Sequence, residues 1–399
     1  MDLGNGLGHL TYSTLVHPGD TWDDMWASLT TYVPKVKQRF CPDRPFGVSL
    51  RLSAASAATL ARDGNARDEL RRFLAGNDLY LYTVNAFPYG DFKGRLVKEQ
   101  VYEPDWRSEE RTRYTIDVAD VLADVVEEGV SPSIQTAPLG FKPRVTGPDV
   151  VASYTEHVLR VAAHLVQLEA RTGRSVTLAI EPEPYCYLET TDETIAFFTE
   201  RLYSDAAAQS LAQLAGIPIS EAHGAIRRHV GIVFDICHQA VEYEDIAASL
   251  RKLVAAGVPI FKLQEAAAIH VREVTAEAVE TLERYAETIY LTQTLERRNG
   301  QGLTYFLNVQ DAIAAWRADP GPREWRVHIH VPVFLDDLGP FGTTRSAIAE
   351  ALAEHKATPL SRQLEIETYT WDMLPDDLKT GDIVDYVCRE LEWVRDQLV

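Results

Sequence analysis

Two apolar runs in the middle of the chain stop abruptly in acid. Thr177-Leu178-Ala179-Ile180 breaks at Glu181-Pro182-Glu183-Pro184, and Val230-Gly231-Ile232-Val233-Phe234 breaks at Asp235-Ile236-Cys237-His238. Short, continuously apolar runs rich in β-branched residues read as parallel strands buried on both faces. A carboxylate at the carboxyl end of such a strand stands at the mouth of a sheet, where α/β folds build their sites.

The rest of the chain repeats the rhythm. Strand-like stretches fall at 7–14, 46–53, 79–87, 133–139, 176–181, 230–235, 259–264, 325–334 and 363–371. Helical spacing of Val, Leu and Ala fills the intervals, as at 22–37, 54–75, 112–128, 150–170, 205–228, 243–256, 276–288 and 343–355, and the chain closes on an amphipathic helix at 383–398. In 46–53, Val48, Leu50 and Leu52 share one face and Ser49, Arg51 and Ser53 the other, so one face of an otherwise buried strand lines something polar. Repeated βα units leave two architectures, a doubly wound open sheet or a closed (β/α)8 barrel. Neither G-x-G-x-x-G nor G-x-x-x-x-G-K-[ST] follows a strand, so the usual nucleotide fingerprints of the open sheet are missing. Acid-tipped strands spread over the second half are gathered into one ring only by a barrel. The expectation is one TIM-barrel domain over 1–399, with insertions near 91–111, 203–229 and 265–324 and a C-terminal helix. Nine candidate strands compete for eight places, so either 259–264 or 325–334 is supplementary. The polar excursion 91–111 reads as a rim loop or lid.

Composition narrows the function. A formal net charge of −20 opposes nucleic acid and anionic membranes, because neutralising phosphate needs clustered Lys and Arg. Cys41, Cys186, Cys237 and Cys388 lie far apart with no C-x-x-C pair, against both a thiolate zinc site and a disulfide scaffold. No run of about 18 apolar residues exists, and the N-terminus has neither a basic nor an apolar leader region. A cytoplasmic protein with a small-molecule partner is expected, without nucleic acid or membrane insertion.

The polar groups at strand ends are Glu181 and Glu183, Asp235 with His238, Gln264, His328 and His330, and Glu365 and Glu367. Mixed oxygen and imidazole donors suit a divalent ion of the Mn, Co, Zn or Mg group. Taken singly they are weak: Glu183 fits a solvated turn, His328 a satisfied core histidine, and Asp235 a helix cap. Together they put neighbouring carboxylates in one ring, a costly arrangement unless a cation offsets it. Arg51, Lys142, Arg144 and Lys262 could hold a phosphate or carboxylate, or serve as structural charges.

At these residues the sequence resembles a known group. Glu181 in I-E-P-E-P, Asp235-x-x-His238, a later His, and Glu367 in L-E-I-E-T resemble the xylose isomerase-like TIM barrels, which include sugar isomerases, tagatose and psicose epimerases and endonuclease IV. G-H-L-T-Y-S-T (8–14), F-G-V-S-L-R-L-S (46–53), N-A-F-P-Y-G (85–90), T-A-P-L-G (136–140), H-I-H-V-P-V-F (328–334) and E-T-Y-T-W (367–371) are similar to the EboE "metabolite traffic" proteins, associated with a bacterial secondary-metabolite cluster. The resemblance implies Glu181, Asp235, His330 and Glu367 as metal ligands, with Glu181 and Glu367 also the acid and base. It implies His238, Gln264, Arg51, Lys262 and Asn85 as substrate contacts, a polyol carbonyl substrate and a possible homodimer. Superfamily epimerases carry a His on the strand after D-x-x-H, where this chain has Gln264, and His330 follows a long insertion. The implied activity is isomerisation or epimerisation of a sugar, sugar phosphate or cyclitol. A non-catalytic binding protein and a metal-dependent hydrolase or endonuclease are the alternatives.

Overall fold

In the computed structural model, which describes residues 1–92, 97–285, 290–371 and 381–399, eight parallel strands curl into a nearly closed barrel. They are β1 (His9–Tyr12), β2 (Phe46–Arg51), β3 (Leu79–Asn85), β4 (Ser133–Thr136), β5 (Thr177–Ile180), β6 (Val230–Asp235), β7 (Ile260–Glu265) and, last in the chain, Gln363–Ile366. The final strand pairs with β1 on one side and β7 on the other. Closure between β1 and β2 rests on a Ser13–Ser49 bridge and on Thr11 Oγ1, which donates to Gly47 O at 2.6 Å.

The continuously apolar strands are buried on both faces, as β6 shows at all six positions. The barrel lumen is more polar than such folds usually are. Tyr82 fills its lower part, donating to His9 O and Leu364 O at 3.1 and 3.2 Å. Gly47 makes this possible, since a Cβ there would lie 2.4 Å from the Tyr82 ring. Above it, Lys262 donates to Gln135 Oε1 at 2.7 Å and to Glu365 Oε2 at 3.1 Å, with both charges fully buried.

The supplementary strand is the later of the two candidates. The stretch 259–264 supplies β7, whereas 325–334 belongs to a second, antiparallel sheet. That sheet contains β8 (Ala267–Val271), β9 (Thr294–Arg297), β10 (Leu303–Phe306), β11 (Glu324–Val331) and β12 (Gly342–Thr343), with the final barrel strand thus β13. Only Ala266 separates β7 from β8, so the second sheet grows directly out of the barrel wall. β11 pairs with β8 through a bulge: Val327 faces Ile269 and His330 faces Ala268.

Local chemistry explains where the helices depart from the expected spans. The stretch 54–75 is two helices, Ala54–Arg62 and Gly64–Gly76, because Asp63 ends the first and caps the second by accepting from Asn65 N and Ala66 N. Likewise 205–228 splits at Gly216, left-handed at φ 72, and Pro218. The expected helix 276–288 is Ala276–Tyr285 within the described residues, and its last three positions lie outside them. Part of the expected lid, 93–96, is also outside; its later portion is a short 3-10 helix, Lys98–Tyr102. The closing helix Ile383–Leu398 packs against Trp22–Phe40. Among the described residues no helix is long and apolar enough to cross a membrane.

Candidate metal and substrate site

The carboxyl ends of β5, β6 and β13 deliver three carboxylates to one point. Glu181, Asp235 and Glu367 each offer an oxygen within 4.8 Å of the other two, and all are buried. Strand pairing runs one step past the ends of β5 and β13, with Glu181 N donating to Thr136 O and Glu367 N to Glu265 O. Both side chains are therefore held by sheet geometry and not by a loose loop. Gln135 Nε2 donates to Glu181 Oε2 at 2.6 Å, and Asn85 Nδ2 donates to Glu367 Oε1 at 2.7 Å. Asp235 does cap a helix, Oδ1 accepting from Cys237 N and His238 N, yet its Oδ2 has no hydrogen-bond partner among the described residues.

Three imidazoles stand beside the carboxylates. His238 Nδ1 contacts Pro182 O at 2.8 Å, His328 Nδ1 contacts Gln293 Oε1 at 3.0 Å, and His330 Nδ1 contacts Glu367 O. Each oxygen can only accept; the Gln293 amide is fixed because its Nε2 donates to Glu183 Oε1 at 3.1 Å. Every Nδ1 thus carries the proton, and every Nε2 presents a bare lone pair. His328 Nε2 and His330 Nε2 lie 3.3 Å apart, and His238 Nε2 is 3.4 Å from Asp235 Oδ2. Two lone pairs with no proton between them repel, so these rings converge on a place for a cation. A ligating His is ordinarily oriented this way, through its other nitrogen.

Electrostatics agree with geometry. Burial lowers the pKa of all three rings, His330 to about 4 and His328 well below its ordinary value, which keeps them neutral. Burial, then Glu367 and Asp235, pushes Glu181 well up, and burial with Glu365 and Asp235 does the same to Glu367. Asp235 is pushed up to about 6, chiefly by burial. A cluster that must hold protons to exist without a cation is one that a divalent ion stabilises.

His330 reaches this point through the second sheet. Its partner in register, Ala268, sits three residues beyond Glu265 of β7, so the insertion lays an imidazole beside the barrel strand that lacks one. Asp235, His238 and His330 form one candidate ligand group, and Glu183, His238 and His328 another. Gln264, paired in register with Asp235 and Glu365, is buried with neither amide atom hydrogen-bonded among the described residues.

Two residues given a bland role from sequence belong to the site. Glu183 is 7% exposed, not a solvated turn, and accepts from Tyr102 Oη at 2.7 Å. His328 is not a satisfied core residue, for its Nε2 lies 3.3 Å from that of His330, two positions along β11. Arg51 and Lys262, expected to touch substrate, sit elsewhere. The Arg51 guanidinium donates to Gly19 O and Gly90 O and pairs with Asp20 at 3.0 Å, tying together the loops after β1 and β3. Lys262 lies under the floor, held by Gln135 and Glu365. Lys142 pairs with Glu189 and Glu193, and Arg144 with Glu103. Asn85 and His238 do line the cavity over the carboxylates. Gln135 and Gln293 were missed by sequence reasoning; Gln135 alternates inward with Ser133 on β4, a signal available to it, whereas Gln293 carries none.

Neither a protein-family model nor a curated protein sequence matches the chain. In structure it is similar to a xylose isomerase-like TIM barrel protein from Mycobacterium smegmatis in complex with magnesium, at 12% identity and a TM-score of 0.50 over 97% of this chain and 98% of that one. The two share the fold. A xylose isomerase domain protein from Planctomyces limnophilus (14% identity, TM-score 0.48, 98% of this chain and 97% of that one) also matches. So does the IolI protein with a bound zinc atom (12%, 0.48, 98% of each chain). The xylose isomerase-like barrel thus describes the architecture, and the site described above is this chain's own.

Proposed function

We propose that the protein is a divalent-metal-dependent isomerase or epimerase of a polyol carbonyl compound. The observation that carries this reading is the convergence of three deprotonated Nε2 atoms and three carboxylates at one barrel mouth. Glu181, Asp235, His330 and Glu367 would hold the ion, with His330 standing in for a histidine on β7. When bound, the ion polarises a carbonyl and stabilises negative charge on adjacent oxygens. Glu181 and Glu367 are the proton-transfer pair. Gln135 and Asn85 each engage one oxygen of their carboxylates, leaving Glu181 Oε1 and Glu367 Oε2 outside those bonds to take or return an α-proton. Their resting pKa values, raised by burial and by neighbouring carboxylates, favour a group able to hold the proton it removes.

The test joins metal analysis of the purified protein to exchange of substrate α-hydrogen with D₂O. One divalent ion per chain and exchange with any polyol carbonyl compound support the reading; Glu367→Gln is expected to abolish exchange with its melting temperature retained. Unchanged exchange in that variant removes Glu367 from the mechanism. One observation favours a second reading, a metal-dependent hydrolase: Glu183, His238 and His328 form a second buried ligand group beside the first. Two ions per chain without exchange would select it.

A further inference from the structure

The walls above the polar floor have a different chemistry from the floor itself. Leu15 follows β1, Phe92 lies beyond β3, Tyr290 comes from the insertion and Tyr369 follows β13, yet all four line the same cavity. Leu15, Phe92 and Tyr290 form one apolar cluster, with Tyr369 packed against it. Phe92 stacks on Tyr290 at 4.6 Å between centroids, and Tyr369 meets both edge-on, at 5.2 Å and 5.5 Å. The Tyr369 ring also lies 4.6 Å from that of His330, so the aromatic wall begins where the candidate ligands end.

A fully hydroxylated polyol gains little from such a wall. Each hydroxyl pressed against the ring faces or Leu15 gives up water and finds no partner on them, whereas a hydrocarbon group gains from every apolar surface it covers. Rings set edge-on and stacked are also the arrangement into which a further ring packs. We infer that the substrate has two unlike ends: adjacent oxygens that face Glu181, Asp235 and Glu367, and an aromatic ring lying against the cavity wall that Leu15, Phe92, Tyr290 and Tyr369 present. This rests on the metal-site reading above and adds a substrate class to it.

The probes are acetohydroxamate and benzohydroxamate, which chelate through the same two oxygens and differ by a methyl against a phenyl group. Titration calorimetry on the manganese-loaded full chain is expected to give benzohydroxamate an advantage of about tenfold or more. In Phe92→Ser and in Leu15→Ser the advantage should fall below about threefold, with acetohydroxamate affinity held and the melting temperature confirming a folded protein. Equal affinity for the two probes in the unaltered protein, or an advantage that persists in both variants, overturns the aromatic subsite while leaving the metal site standing. Binding of neither probe overturns the metal site, and the subsite with it.

Discussion

Gln135 joins the polar floor to the site, and its replacement by Leu tests how the site is held. The side-chain oxygen accepts from Lys262 at 2.7 Å and its nitrogen donates to Glu181 at 2.6 Å, so two charge-assisted bonds pass through one amide. Each such bond contributes about 1.5–3 kcal/mol, so Gln135→Leu forfeits about 3–6 kcal/mol. Burying the leucine side chain returns about 1.5–3 kcal/mol, leaving a net loss of roughly 1.5–3 kcal/mol in urea unfolding. That loss alone does not show where it arises, and a double-mutant cycle with Lys262→Met supplies the answer. Lys262→Met by itself strands Glu365 and is expected to cost about 3–5 kcal/mol. If the Gln135–Lys262 bond is real, both single variants lose it and the double variant loses it once. The double variant should therefore be less destabilised than the sum by about 1.5–3 kcal/mol. Additivity within about 0.5 kcal/mol would refute the bridge. Gln135→Leu also leaves Glu181 without its orienting donor, and metal affinity should drop about 10–100-fold.

Removing the His330 side chain decides between the insertion and β7 as the source of the ligand. His330→Ala should lower metal affinity at least about tenfold by calorimetry, and an affinity equal to the unaltered protein's would pass the position to Gln264. Gly47→Ala drives a methyl into the Tyr82 ring, which two hydrogen bonds hold in place, and should cost about 1–3 kcal/mol in urea unfolding. An unchanged midpoint would show that the ring can move aside. Burial, with Glu189 adding repulsion, pushes the Glu242 carboxyl up to about 9 from 4.5. Between those values the folded protein keeps a proton that the unfolded chain has released, so stability falls as pH rises through the window and is lowest above it. Glu242→Gln cannot ionise, so the drop in melting temperature from pH 6 to pH 9 should shrink; an undiminished drop would show that Glu242 is not its source.

What could be seen in the sequence and what could not divide along a physical line. Glu181 and Asp235 were legible because each closes a short apolar strand, and Glu367 because it alternates with Glu365 at the end of another; a parallel barrel leaves the end of such a strand only one place to be. The parallel α/β layout follows from the same runs, since strands buried on both faces need helices to cover them, and the barrel from acid tips that only a closed ring gathers. Glu183 and His328 were not legible, because their burial is conferred by Tyr102 and Gln293, far off in the chain and brought in by loops. Nor does alternation distinguish β11 from a barrel strand. A period of two places His328 and His330 on one face whether the neighbour is parallel or antiparallel, and only the Val327–His330 bulge against β8 shows which sheet they join.

The insertion also explains how a barrel with glutamine at the β7 position can keep an imidazole at its mouth. A histidine on β7 would come from the strand itself; here β8 continues the wall past Ala266, and β11, hydrogen-bonded to it, carries His330 to the same rim. The ring is then fixed by Glu367 O, next to a carboxylate that faces the same point, so strand β13 positions both its own Glu367 and the imported histidine. Second-sheet residues are thereby placed under the same geometric constraint as barrel residues. Disturbing the β8–β11 pairing should displace His328 and His330 and leave His238 and the three carboxylates, which belong to the ends of β5, β6 and β13, where they are. A site assembled from two sheets can lose two of its imidazoles, His328 and His330, while His238 and the three carboxylates stay with the barrel, and that separation is the feature of this chain that a barrel carrying all its ligands on its own strands does not have.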